Sequence, residues 1–307
     1  MTTTTPLNWE EHGQQRSAVW RAEGSPPRRV VLADDTLTAD AAYRLACEGT
    51  ALLWRGDFQN ARQLLQAMMR RLDKPTKRKS RGKNQPEPVV EPATAFHAHR
   101  QAQAQRARVL NMLLIEMQDD YGVGLRRAPD VKQACNEAWG RSDGKTGVVP
   151  LRGLQGLIGA HEWRKKGVEV TALGSRIHPH YGVFSPVRGE YVELVARTPL
   201  PAALQATPLA FDIGVGTGVL SAVLAQRGVA RVVATDVSDR ALSCAKDNLQ
   251  RLALTGQVEL LKTDAFPPGK AALVVCNPPW LPARPTSTLE QAVYDEGSQM
   301  LKGYLAG

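Results

Sequence analysis

From Leu209 onward the sequence alternates short apolar runs with helix-like stretches, and this alternation constrains the fold more than any other feature. "LAFDIGVGTG" is an apolar run ending in a glycine-rich turn, followed by "VLSAVLAQRG" with helical texture. "ARVVATDVS" is a second run, ending in Asp236, and "DRALSCAKDNLQRLAL" reads as a helix. "QVELLKTDAF" and "AALVVCNPPW" supply a third and a fourth strand. Strands alternating with helices demand right-handed crossovers and a parallel sheet. Strands that are apolar throughout belong to a sheet covered on both faces. The expectation is an α/β domain over residues 201–307.

Upstream the texture differs. Residues 34–72 space Leu, Ala, Phe and Met at helical intervals, with Thr38 or Asp40 as a cap and breaks at Gly49 and Gly56. Further helices are expected over 95–118 and in "DVKQACNEAWG". Residues 144–185, rich in Gly and Val, read as short strands, and a helix is expected at about 189–197. The predicted organisation is therefore a helical N-terminal region over 1–140 with a basic linker at about 73–93, a connecting segment over 141–200, and the α/β domain over 201–307.

Charge is concentrated. The chain has 307 residues and a formal net charge of +9, yet from Pro208 to the end nine Lys/Arg balance nine Asp/Glu. The segment "RRLDKPTKRKSRGK" (70–83) holds eight basic residues against Asp73. Such a tract can neutralise phosphates of RNA or DNA, or act as a solvated linker. No apolar run approaches the ~18 residues of a bilayer span, so no membrane role is expected. Nor does the N-terminus resemble a signal peptide. Cys47, Cys135, Cys244 and Cys276 are far apart with no CxxC pair, which disfavours zinc and disulfides and fits a cytoplasmic location. His161, His178 and His180 lack matching metal-ligand spacing and read as loop histidines.

Four motifs fall at carboxyl ends of the expected strands, the edge where open α/β sheets bind ligands. Asp212-Ile-Gly-Val-Gly-Thr-Gly218 turns a strand into a helix. Gly214, Gly216 and Gly218 permit tight turning and close approach of a ligand. The spacing is not the dinucleotide GxGxxG, since Val219 stands where its last glycine would be. Free amides at the helix start suit an anionic or zwitterionic ligand. Asp236 can accept both hydroxyls of a ribose, or cap a helix, a task for which Ser238 is better placed. Asp264 can accept from an exocyclic adenine amine, with Ala265 and Phe266 flanking the ring, or be a turn residue before Pro267. Asn277-Pro278-Pro279-Trp280 is a stiffened backbone carrying an amide and an aromatic face.

Together, "DIGVGTG", Asp236, Asp264 and "NPPW" resemble a class I S-adenosylmethionine-dependent methyltransferase from about residue 181 to 307. They resemble most the branch with an (Asn/Asp)-Pro-Pro-aromatic motif, which methylates nitrogens of planar groups. That branch includes release-factor glutamine methyltransferases and adenine- or guanine-amine methyltransferases of RNA and DNA. The resemblance implies a Rossmann-like sheet and S-adenosyl-L-methionine as cofactor. It places the cofactor at Asp212, Gly214, Gly216, Gly218, Asp236, Asp264, Ala265 and Asn277, and the acceptor at Asn277, Pro278, Pro279 and Trp280. Asn277 Oδ1 and the Pro278 carbonyl would accept the two N–H bonds of an NH2 group, with Trp280 stacked on the acceptor. In "GVFSPVRGEY", Val187 separates Pro186 from Arg188, a departure from the Pro-Arg of release-factor enzymes; Glu190 supplies the following acid. The expected substrate is a protein glutamine or a nucleic-acid base. The family's sheet has seven strands, and with 27 residues after Trp280 the last three are expected to be missing, leaving a truncated and inactive or poorly soluble chain. The alternative of another class is a non-catalytic module that binds the cofactor.

Overall fold

The computed structural model describes residues 5–73, 92–187, 189–284 and 290–306. The chain divides into two compact units, Met1–Ile158 and Gly159–Gly307, instead of at residues 140 and 200.

The first unit is built on a sheet, which corrects the expectation of a helical region. Its strands are β1 (Pro6–Glu11), β2 (Gln14–Trp20), β3 (Arg29–Ala33), β4 (Thr50–Trp54), β5 (Leu113–Met117) and β6 (Gly147–Pro150), in spatial order β1-β2-β6-β5-β4-β3. The helices are α1 (Ala39–Cys47), α2 (Phe58–Leu72), α3 (Pro92–Leu110) and α4 (Lys132–Trp139). Gly49 and Gly56 do interrupt the helical stretch, but "TALLW" between them is a strand with all five residues buried. Likewise "LLIEM", expected to continue a helix, is β5. β1 and β2 form a hairpin whose His12 and Gly13 both have φ > 0, the twist a two-residue turn requires. Of the basic linker expected at about 73–93, residues 74–91 lie outside the described residues.

α5 (Leu151–Lys166) likewise stands where strands were expected. Gly153, Gly156 and Gly159 signalled turns, yet they are exposed while Leu151, Leu154 and Leu157 are buried on the opposite face. Burial of that leucine stripe offsets roughly 1 kcal/mol per glycine of lost propensity.

The second unit contains the short antiparallel pair β7 (Val168–Val170) and β8 (Ser175–Ile177), then α6 (Glu190–Arg197). A parallel sheet follows, made of β9 (Leu209–Ile213), β10 (Arg231–Asp236), β11 (Val258–Lys262) and β12 (Leu273–Cys276), in order β11-β10-β9-β12. This is the α/β class expected. Along β9, Ala210 faces one core and Phe211 and Ile213 the other. Along β10, Val232 and Ala234 share the first face and Val233 the second. The first face packs on α6, α7 (Val219–Gln226) and α8 (Asp239–Arg251). The second packs on α9 (Gln299–Ala306) through Met300 and Tyr304. With both faces covered, β9, β10 and β12 are apolar along most of their length, while the edge strand β11 exposes Glu259 and Lys262. Among the described residues no helix is long and apolar enough to cross a membrane.

Candidate active site

β9 and β10 are adjacent and in register, so the turn after β9 and the acid ending β10 meet at one sheet edge. The turn is wound tightly. Gly214 and Val215 both donate to Thr235 O, at 2.9 and 2.8 Å, and Gly218 donates to Val215 O at 2.8 Å. Gly216 donates to Asp236 Oδ2 at 3.1 Å. These four amides are thus committed within the protein, while those of Thr217, Val219 and Leu220, at the start of the helix that follows, have no partner among the described residues. Gly218 has φ +81° and a Cβ there would sit 3.2 Å from the Ala245 backbone, so both conformation and packing require glycine.

Asp212 sits on β9 beneath the turn and is buried. Its Oδ2 accepts from Ser221 N at 2.9 Å and Ser221 Oγ at 2.5 Å. Its Oδ1 is buried with no partner. Burial pushes the carboxyl up to about 6, against the Ser221 hydrogen bonds, with the Asp236 charge a smaller push in the same direction. An acceptor oxygen left bare in this way fits a bound cation. Asp236 uses Oδ1 for Ser238 N at 2.9 Å as well as Oδ2 for Gly216, so each oxygen keeps one lone pair for a hydroxyl. Ser238 caps α8 through Ala241 N.

A cavity of about 250 Å³ joins these groups to the end of β12. Asp212, Gly214, Gly216, Asp236, Asn277 and Pro279 all line it. The Asn277 carboxamide and the Pro278 carbonyl make no hydrogen bond among the described residues. After the motif, Trp280 and Leu281 both donate to Val293 O, at 3.1 and 3.0 Å, and Asp295 N returns to Leu281 O at 2.8 Å. Buried Asp295 accepts from Met300 N and Leu301 N, tying this return segment to the start of α9. Trp280 is 57% exposed and meets Phe184 edge-on, with ring centroids 6.3 Å apart.

The cavity excludes some expected residues and recruits others. Gly218, Ala265, Pro278, Trp280 and exposed Asp264 are not in its lining. The Ala265 carbonyl accepts from Thr235 Oγ1, and Phe266 stacks on Tyr304 instead of standing free for a ring. The sequence reading missed Val183, Phe184, Tyr191 and Met300, all in the wall. No motif marks them, because they arrive from segments flanking the sheet. Buried Asn248 on α8 draws one of those segments in. Its Nδ2 donates to Thr217 O at 3.0 Å and its Oδ1 accepts from His178 N at 2.7 Å. His178 Nδ1 lies 2.7 Å from Arg164 O and His180 Nε2 lies 2.8 Å from Asp247, so both rings are held by protein partners. Arg188 lies outside the described residues.

Residues 175–303 match the family model described as "Methyltransferase small domain". The chain is 32% identical over 157 residues to a release factor glutamine methyltransferase of Thermosynechococcus vestitus, covering 49% of this chain and 51% of that one. It is 34% identical over 84 residues to a tRNA1(Val) (adenine(37)-N6)-methyltransferase of Bacteroides thetaiotaomicron, covering 26% and 35%. The chain thus spans about half or less of the curated relatives it matches. A solved structure of the N-terminal domain of human METTL16 in complex with SAH aligns at TM-score 0.26 and 18% identity, over 45% of this chain and 57% of that one.

Proposed function

We propose that the methyltransferase small domain at residues 175–303 transfers a methyl group from S-adenosylmethionine to a planar NH2 nitrogen, with a protein glutamine as the leading acceptor. The observation that carries this reading is Asn277. Its uncommitted carboxamide lines the same cavity as the glycine turn and Asp236, on a backbone stiffened by two prolines. Bound there, the cofactor supplies a methyl group on a positively charged sulfur. Asp236 would hold the ribose hydroxyls, and the bare Oδ1 of Asp212 the ammonium of the amino-acid end.

The remaining work falls to the acceptor side. An amide or aryl amine is a weak nucleophile because its lone pair is delocalised. Asn277 Oδ1 and the Pro278 carbonyl accept its two N–H bonds, fix its orientation and favour the positive charge that develops on nitrogen. Trp280 and Phe184 supply aromatic surface at the mouth. Asn277→Ala should reduce methyl transfer on the order of 100-fold or more while leaving cofactor affinity nearly intact. Equal loss of both would reduce Asn277 to a structural role. Radiolabelled methyl transfer into a lysate, sorted by protease or nuclease sensitivity, identifies the acceptor.

A nucleic-acid base is the second reading. It is favoured by the exposed Trp280 face and the excess charge at 70–83, and it predicts nuclease-sensitive label. Calorimetric cofactor binding without any transfer would support the non-catalytic module instead.

A further inference from the structure

Two helices of the first unit are built without a single acid. α2 and α3 together hold six arginines, no lysine and no Asp or Glu. From Phe58 to Leu110 the sequence has twelve Lys/Arg against three Asp/Glu, a net of +9 that equals the charge of the whole chain. A helix that is merely solvated mixes both signs and gains from acid–base pairs at i, i+4. Neither of these helices can form one.

α2 sorts its residues by face. Phe58, Ala61, Leu64, Leu65 and Met68 are buried. Arg62, Gln63, Gln66 and Arg70 are exposed, three to four residues apart, which puts the two arginines about 12 Å from each other along the axis. Among the described residues Arg62 meets only the neutral Gln59 Oε1, at 2.9 Å, and Arg70 has no partner. The carboxamides of Gln63 and Gln66 make no hydrogen bond there either. Arg71 and Arg106, by contrast, are spent on Asp40 and Asp73.

The make-up of the exposed face selects its partner. A protein interface needs an apolar or aromatic centre, and among the described residues neither helix exposes a large hydrophobic side chain. A phosphodiester backbone needs no such centre. Guanidinium forks match phosphate oxygens, and carboxamides set between them can bond sugar hydroxyls and base edges. We propose that the exposed face of α2 is an RNA-docking surface, on which Arg62 and Arg70 hold phosphates and Gln63 and Gln66 contact the riboses and bases between them. The assignment goes beyond the methyltransferase reading and does not depend on it.

The test is binding of a fluorescent RNA hairpin to the full chain, followed by anisotropy across a salt series. Gln is as good a helix former as Arg, so Arg62→Gln with Arg70→Gln should leave thermal denaturation unchanged. This pair should make the slope of log affinity against log salt shallower by about 1.4 to 1.8, as for two lost phosphate contacts. Gln63→Ala with Gln66→Ala should weaken binding at least about fivefold and leave the slope as it was, since no charge is removed. The control removes the same charge elsewhere in the unit, by Arg16→Gln with Arg28→Gln, both exposed, and should leave the slope unchanged. An unaltered slope in the α2 arginine pair would overturn the assignment, as would an equal change in the control. Poly-glutamate stands in for an acidic protein. Were it to bind as tightly as the hairpin and to lose as much on substitution, the face would belong to a protein partner and not to RNA. A wild type that fails to bind the hairpin would also sink the proposal, and would leave the cavity's reading untouched.

Discussion

Asp212 is where the chemistry of a single residue sets conditions for the whole site. Its folded-state pKa, about 6, lies above that of an exposed carboxyl because burial outweighs two hydrogen bonds from Ser221. The folded protein without cofactor therefore holds this proton more tightly than the unfolded chain. Its contribution to stability is fully present below about pH 4 and is lost as pH rises through about 6, at about 1.4 kcal/mol per pH unit. By pH 7 the loss approaches about 3 kcal/mol. A bound ammonium reverses the trend, since it favours the ionised form. Cofactor affinity should thus fall as pH drops below about 6, by up to tenfold per unit, while the cofactor-free protein becomes more stable. Asp212→Asn should bind cofactor weakly at every pH and flatten both profiles, measurable by calorimetry and urea denaturation between about pH 5 and 8. If the substituted protein kept a profile as steep as that of the wild type, the titration would belong to another group.

At the scale of elements, the site depends on segments that sequence periodicity handles poorly. β9, β10 and the glycine turn were legible because a sheet covered on both faces leaves no choice but continuous apolar strands. β4 and β5 were not. Five residues such as "TALLW" are too few to separate a period of 2 from 3.6, and tertiary burial of all five decides the matter. α5 was hidden by its three glycines, whose local cost is offset by leucines packed elsewhere. The cavity wall shows the same division. The motifs located the turn, Asp236 and Asn277, whereas Phe184 and Tyr191 belong to the 182–191 stretch, where no spacing rule applies. Asn248 is the physical link that ties the chain just before that stretch, at His178, to the turn. Asn248→Ala removes a buried carboxamide that serves Thr217 O, His178 N and His178 O, at 3.0, 2.7 and 3.3 Å. It should destabilise the second unit by about 2–3 kcal/mol, since buried polar groups are left unmatched. Hydrogen exchange should quicken at His178 and at the residues that follow it. Unchanged exchange there would mean that the loop is held by its other contacts.

Considered as a whole, the molecule separates its charge from its chemistry. Residues 159–307, which contain the cavity, carry 15 Lys/Arg and 13 Asp/Glu. Residues 1–158 carry 24 and 17, a net of +7, and the segment 70–83 alone holds a net of +7. Outside that segment the first unit is neutral. For transfer to a protein glutamine such a tract is a solvated linker, whereas an enzyme acting on RNA gains affinity from every phosphate it neutralises. This contrast makes the acceptor accessible to a measurement that does not involve the cavity. Deleting residues 74–83 removes six Lys/Arg and leaves α2 and its capping Asp73 in place. If the acceptor is RNA, the slope of log affinity against log salt should become shallower by as much as about 4, at about 0.7 per phosphate contact on a single strand. Transfer at low RNA concentration should fall with it, while saturating RNA restores the rate. If the acceptor is a protein glutamine, the deletion should leave methylation of that protein unchanged at every salt concentration. A shallower slope with no effect on methylation would separate the two activities, making the tract a nucleic-acid anchor on an enzyme that modifies protein.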